Sequence, residues 1–155
     1  MFDNRDTAMN AHQRVRQWVE ANMRDLMPEA PEVTAGETVC DSIAHPQEQA
    51  KDRQRSLFAV VRTHHGLPGQ AEPIHSALSH HTIPAVKDAP GFRGLCTRRD
   101  EAEPDRAVSV SLFDGREDAV RSHERAVGSM RGKLGAMAYG TSDATMGEAV
   151  VLATA

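Results

Sequence analysis

The order of local patterns in this chain predicts an α+β protein on the ferredoxin-like β-α-β-β-α-β plan, preceded by half of a second such unit. Three observations predict it. Short β-rich runs stand at residues 55–63, 92–99 and 106–113, two stretches with helical spacing follow the first and third of them, and residues 2–42 lie over residues 113–153 without a gap. The overlay matches at both ends. Phe2-Asp3, Arg5, Ala8, His12 and Arg14 fall on Phe113-Asp114, Arg116, Ala119, His123 and Arg125, and Thr34, Gly36-Glu37 and Val39 fall on Thr145, Gly147-Glu148 and Val150. Self-similarity at a fixed offset marks a repeated structural unit.

Residues 1–42 therefore read as the last helix (Asp3 to about Leu26) and last strand (about Val33 to Cys40) of a unit. Residues 43–54 read as a polar linker, and 55–155 as a complete unit. One helix and one strand cannot form a sheet alone. The strand near Val33–Cys40 is thus expected to pair with the complete unit's sheet, within the chain or across a dimer.

In the complete unit, Arg55–Thr63 is short and rich in β-formers, a buried strand ended by Gly66-Leu67-Pro68-Gly69. From Gln70 to about His81, Ile74, Ala77, Leu78 and His81 keep helical spacing, which puts His81 on the core stripe. Pro84 allows a short further turn, and Ala89-Pro90-Gly91 breaks the chain before the strand Phe92–Arg99. An acidic loop, residues 100–105, leads to Arg106–Phe113, where Val108, Val110 and Leu112 alternate with Ala107, Ser109 and Ser111 as in a half-buried antiparallel strand. Asp114 then stands as an N-cap with Glu117 three residues on. The helix is expected to reach about Lys133, weakened by Gly128 and Gly132. A loop through Tyr139–Asp143 precedes the last strand, Gly147–Thr154.

Composition removes several function classes. Of the 155 residues, 39% are apolar but only 4% aromatic, so the core is aliphatic; the net charge is −4 with both signs interspersed. No basic footprint for nucleic acid is present. No apolar run approaches the roughly 18–20 residues that span a bilayer, and the charged N-terminus does not read as a signal peptide. Cys40 and Cys96 read as reduced thiols of a cytoplasmic protein.

The stretch His80-His81-Thr82-Ile83-Pro84-Ala85-Val86, the turn Ala89-Pro90-Gly91-Phe92-Arg93-Gly94 and the block Val108 to Ala119 resemble the antibiotic biosynthesis monooxygenase family. The resemblance covers about residues 55–153. It implies two sheets meeting face to face as a homodimeric α+β barrel. It also implies oxygenase chemistry on a small aromatic or polyketide-like molecule, with no bound metal or flavin. Haem-degrading relatives use an Asn on the first strand, which Ser56–Val61 lacks, and a Trp where this chain has Phe113; only their helix His has a counterpart, His123.

Candidate residues follow. His123 and His81 are candidate proton acceptors, because an unperturbed His titrates near pH 6.5. His12 occupies the place of His123 in the half-unit, which favours a packing or hydrogen-bonding role for that position over a chemical one. Trp18, Phe113 and Tyr139 are candidates for lining a substrate pocket. His64, His65, His75, His80 and His81 do not make a metal site, since His75 to His80 is i,i+5 and neighbouring pairs point apart. The rival reading is a non-catalytic member, either a ligand-binding barrel or a purely structural one whose pocket is filled by side chains.

Overall fold

Among the described residues, backbone pairing forms one five-stranded antiparallel sheet, in the order β1 (Thr38–Asp41), β3 (Phe92–Arg99), β4 (Arg106–Phe113), β2 (Leu57–Gly66), β5 (Tyr139–Ala149). The computed structural model describes residues 4–27, 36, 38–41 and 57–149, the side chains of 39–41 and 133–141 excepted. The helices are α1 (Arg5–Asn22), α2 (Ala71–Ala77), α3 (Ile83–Lys87) and α4 (Arg116–Ala138), with a π-helical turn at Leu78–Thr82 between α2 and α3. Strands β2 to β5 with the intervening helices reproduce the β-α-β-β-α-β order. β1 extends that sheet antiparallel to β3, with Thr38 opposite Arg98 and Asp41 opposite Cys96. The expected linker, residues 43–54, lies outside the described residues, as do the expected strand positions 33–35 and 150–154.

The chain divides into two compact units, Met1–Val33 with Ala153–Ala155, and Thr34–Leu152. In the first, Asn4 caps α1 by accepting from the Thr7 amide at 2.9 Å, which satisfies one of the amides a helix start leaves open. No side chain of α1 is buried. In the second, strand β1 belongs with the sheet.

β3 and β4 begin and end where the sequence predicts. Gly91 explains the first boundary: its φ is +69°, a left-handed conformation that side chains resist, and its carbonyl accepts from the Asp114 amide at 2.8 Å. That bond ties the entry of β3 to the exit of β4. Asp114 does not cap the helix as expected. Helix α4 begins two residues later, with Gly115 accepting the first turn's bond from Ala119 at 3.2 Å, and the Asp114 carboxylate instead accepts from Arg93 Nε and Nη2 at 2.7 and 2.9 Å. A forked arginine–carboxylate pair is the stronger claim on that side chain.

The unit's other end departs from expectation. The region expected as a loop, residues 139–143, is the start of β5, and α4 runs on to Ala138. The reason is pairing: β5 lies along all of β2, from Leu57 opposite Ala149 to Gly66 opposite Tyr139. Ladder bonds to a neighbouring strand override a polar, Gly-containing composition, and an edge strand tolerates it.

The helix before β3 also differs. Ile83 donates to the Leu78 carbonyl, an i+5 bond that inserts one residue into the helical spacing. Past that turn the inward stripe moves on by one position. Leu78, Thr82, Ile83 and Val86 are buried, whereas His81 is exposed.

Packing splits the interior in two. Val60, Ile83, Val86, Ala89, Leu95, Phe113, Ala119 and Ala126 form one apolar cluster, with Phe58, Phe92 and Met146 against it. Ile74, Ala77, Leu78 and Met130 form another, flanked by Ala107. Val60 and Phe113 face the helices, and period-two alternation then places Arg62 and His64 of β2, and Ser109 and Ser111 of β4, on that same side. The face of β4 carrying Val108, Val110 and Leu112 is the opposite one.

Candidate functional site

A polar seam lies between the two apolar clusters, and cross-strand register builds it. Val60 stands opposite Ser111, Arg62 opposite Ser109, and His64 opposite Ala107. On the far side of β4, Thr97 stands opposite Ser109. On the far side of β2, Ala144 and Ser142 stand opposite Arg62 and His64. Directly opposed residues share a sheet face, so Arg62, His64, Thr97, Ser109 and Ser111 all point toward the helices. Helix α4 meets them with Ala119, Ser122, Ala126 and Met130 buried and His123 half-buried beside that stripe.

Arg62 is the centre of the seam, 1% exposed. Its Nη1 donates to Ser111 Oγ at 2.7 Å and its Nε donates to His123 Nδ1 at 3.3 Å. A guanidinium can only donate, so Nδ1 of His123 must accept, and a neutral ring then carries its proton on Nε2. Burial, and next the Arg62 charge, lower the His123 pKa below its ordinary value, with Glu124 opposing them. The bond and the charge favour the same neutral tautomer.

His64 lies two residues further along β2, 4% exposed, with Nδ1 at 3.3 Å from Ser142 Oγ. Burial, then Arg62, His123 and His65, lower its pKa to about 4. Its Nε2 has no hydrogen-bond partner among the described residues, and the same holds for Thr82 Oγ1, Thr97 Oγ1 and Ser122 Oγ. Buried polar atoms are nearly always satisfied, so a concentration of them in one layer sets this seam apart from an ordinary core.

No family model matches the sequence, and no curated protein does. Solved structures do match. One, a protein of unknown function from Nitrosomonas europaea, superposes with a TM-score of 0.55 at 11% identity over 65% of this chain and 96% of its own. A candidate antibiotic biosynthesis monooxygenase from the same organism gives 0.54 at 13% identity over 63% and 93%. A third is a mutant of SnoaB, a cofactor-independent oxygenase from Streptomyces nogalater, at 0.50 and 16% identity over 62% and 95%. The chain has the fold of the antibiotic biosynthesis monooxygenases. At these identities the likeness concerns the fold, and function has to come from the site.

Within this fold the sequence-predicted residues separate. His123 lies in the seam. His81 is turned outward by the π-helical turn. Phe113 is 0% exposed, packed edge-on against Phe92 with ring centroids 6.1 Å apart, so it is part of the core. Trp18 is 58% exposed on α1. Tyr139 opens β5, and its side chain lies outside the described residues. Among the described residues, a depression beside Ile74, His75, Arg99 and Asp105 and another beside Arg116, Val120 and Glu124 are not lined by Arg62, His64 or His123. Among the described residues no group of three His, Cys, Asp or Glu side chains could hold a metal ion, and no helix is long and apolar enough to cross a membrane. Cys96 is a free, buried thiol; the side chain of Cys40 lies outside the described residues.

Sequence reasoning passes over Arg62 and weighs His64 only among the histidines of a metal site, because the strand is expected to end at Thr63 whereas it runs to Gly66. The signal is present in the period-two alternation of Val60, Arg62 and His64. The chemistry of the assembled group is that of a donor cluster. It combines the buried Arg62 guanidinium, donating to Ser111 and His123, with an imidazole that, when neutral, carries its proton on Nε2.

Proposed function

We propose that this protein is a cofactor-independent monooxygenase acting on a small aromatic or polyketide-like phenol, bound in the seam between sheet and helices. The observation that carries the reading is the Arg62 Nε to His123 Nδ1 bond. It holds His123 with Nε2–H free to donate, next to a buried cation, and such a pair favours the phenolate form of a bound phenol. The role of His123 is then to stabilise the oxyanion rather than to take the proton, which leaves to solvent. Preorganised donors in a water-poor site stabilise such charge strongly. The ionised substrate is electron-rich enough to reduce oxygen itself. In balance, an anthrone-type CH2 and O2 give C=O and water, with both electron pairs drawn from the substrate.

Oxygen uptake with a panel of anthrone- and hydroquinone-type compounds tests this. Protein-dependent uptake is expected to fall about 100-fold in His123→Ala, the scale on which a lost oxyanion donor acts. Uptake equal in wild type and variant would overturn the role of His123.

A second reading, a non-catalytic barrel whose pocket is filled by side chains, is favoured by the burial of Arg62 within the seam. Absence of both ligand binding and protein-dependent oxygen uptake across the panel would select it.

Under either reading we propose a homodimer. The sheet face away from the helices carries Val61, which is 37% exposed, and the half-buried Val108 and Val110, beside Leu112 and Cys96, which are already buried. Two such faces can cover each other as in a barrel, since a sheet with an apolar face needs a second layer. Light scattering should give twice the 16.9 kDa chain mass; a monomeric mass would count against it.

A further inference from the structure

The seam holds more recognition chemistry than one phenolate requires. His64 sits on the same face of β2 as Arg62, and the residues around it are small or polar: Ala107 opposite it on β4, Ser142 opposite it on β5, Ala144 opposite Arg62. Among the described residues, those directly opposite His64 and Arg62 carry no large side chain. One ring nitrogen is engaged with Ser142 while the other is buried and has no partner among the described residues. A histidine kept for packing alone would be better replaced by Leu or Phe, because an unsatisfied buried polar group costs stability.

We propose that His64 Nε2 takes a second oxygen of the bound molecule, so that the site selects aromatics carrying two oxygen functions over those carrying one. This rests on the seam being the binding site, and it adds a division of labour. His123 and Arg62 face the oxygen that ionises, and His64 faces a neutral hydroxyl or carbonyl on the same ring system. Sites that hydrogen-bond a substrate group discriminate strongly against analogues lacking it, because their own polar atom is then left unpaired.

The test uses 1-naphthol and the 1,3-, 1,5- and 1,8-dihydroxynaphthalenes, titrated into the full-length protein under argon by ligand fluorescence, so that no turnover is needed. At least one of the diols is expected to bind about tenfold more tightly than 1-naphthol, the scale of one hydrogen bond. His64→Leu should remove that preference, and His64→Gln should restore part of it. Thermal unfolding controls for folding: His64→Leu should melt at or above the wild-type temperature. Equal losses for the mono-ol and the diols, or a diol preference that survives His64→Leu, would overturn the proposal. Absence of oxygen uptake in air alongside a His64-dependent diol preference would remove the oxygenase reading and leave this one standing. If none of the four compounds binds, both the seam as a binding site and the role of His64 are rejected.

Discussion

Replacing Arg62 by Met should abolish function while leaving the protein folded. The guanidinium is almost fully buried and held by Ser111 and His123, so it looks like a structural keystone. Taking a charge out of water costs several kcal/mol, which offsets much of what its bonds contribute. Removing Arg62 alone leaves Ser111 and His123 without their buried partner, so Arg62→Met is expected to lose about 2–4 kcal/mol of stability and still fold. Activity on any substrate found should drop at least about 100-fold. A second readout distinguishes loss of charge from loss of shape. The Arg62 cation is the second cause, after burial, of the lowered His123 pKa, so its removal should raise that pKa part of the way toward the ordinary value. An NMR titration of the His123 ring reads this directly. Arg62→Lys keeps the charge but loses the fork that reaches both partners, so the His123 pKa should stay low while activity falls by a smaller factor. A His123 titration unchanged in Arg62→Met would mean that the two side chains do not interact in solution.

The parts of the fold legible in the sequence are those where one local rule decides. β3 and β4 are bounded by Gly91 with its positive φ and by the acidic loop at 100–105, and both can be read to the residue. β5 cannot, because the stretch Gly140-Thr141-Ser142-Asp143 has loop chemistry and becomes strand only by pairing with β2. His81 escapes for a different reason: a single i+5 bond at Leu78 shifts the inward stripe, and no residue type announces such a turn. The site is half legible. His123 stands out as a histidine on an amphipathic helix. Arg62 does not, because a cation in a β-rich run reads as a strand end. The alternation of β4 compounds the error. Its apolar face invites assignment to the core, yet Ser109 and Ser111 are the residues packed under the helices. A polar residue facing inward is a local inconsistency, and such inconsistencies gather where function outweighs stability.

His64 makes that conflict measurable as acid sensitivity. Its pKa is about 4 in the folded protein and 6.5 as the ordinary value, so between those limits the unfolded chain binds a proton that the folded chain refuses. Stability must then fall as pH drops through 6.5, continue falling to about 4, and lose nothing further from this residue below that. The full loss is about 3 kcal/mol, from roughly 1.4 kcal/mol per pKa unit. His123, whose pKa is also lowered, acts with the same sign. Carboxylates titrate over part of the same window, which makes the comparison with a variant decisive. Urea midpoints of wild type and His64→Leu should lie close at pH 7, with the variant equal or higher. They should separate on acidification, the wild type losing the additional stability by pH 4. Parallel curves would mean that His64 is hydrated or partnered in solution. A variant destabilised by more than about 2 kcal/mol at pH 7, as for a lost buried hydrogen-bond network, would make it a structural residue. The expected pattern, equal at neutral pH and divergent in acid, fits a buried polar atom kept for a ligand against the stability of the fold.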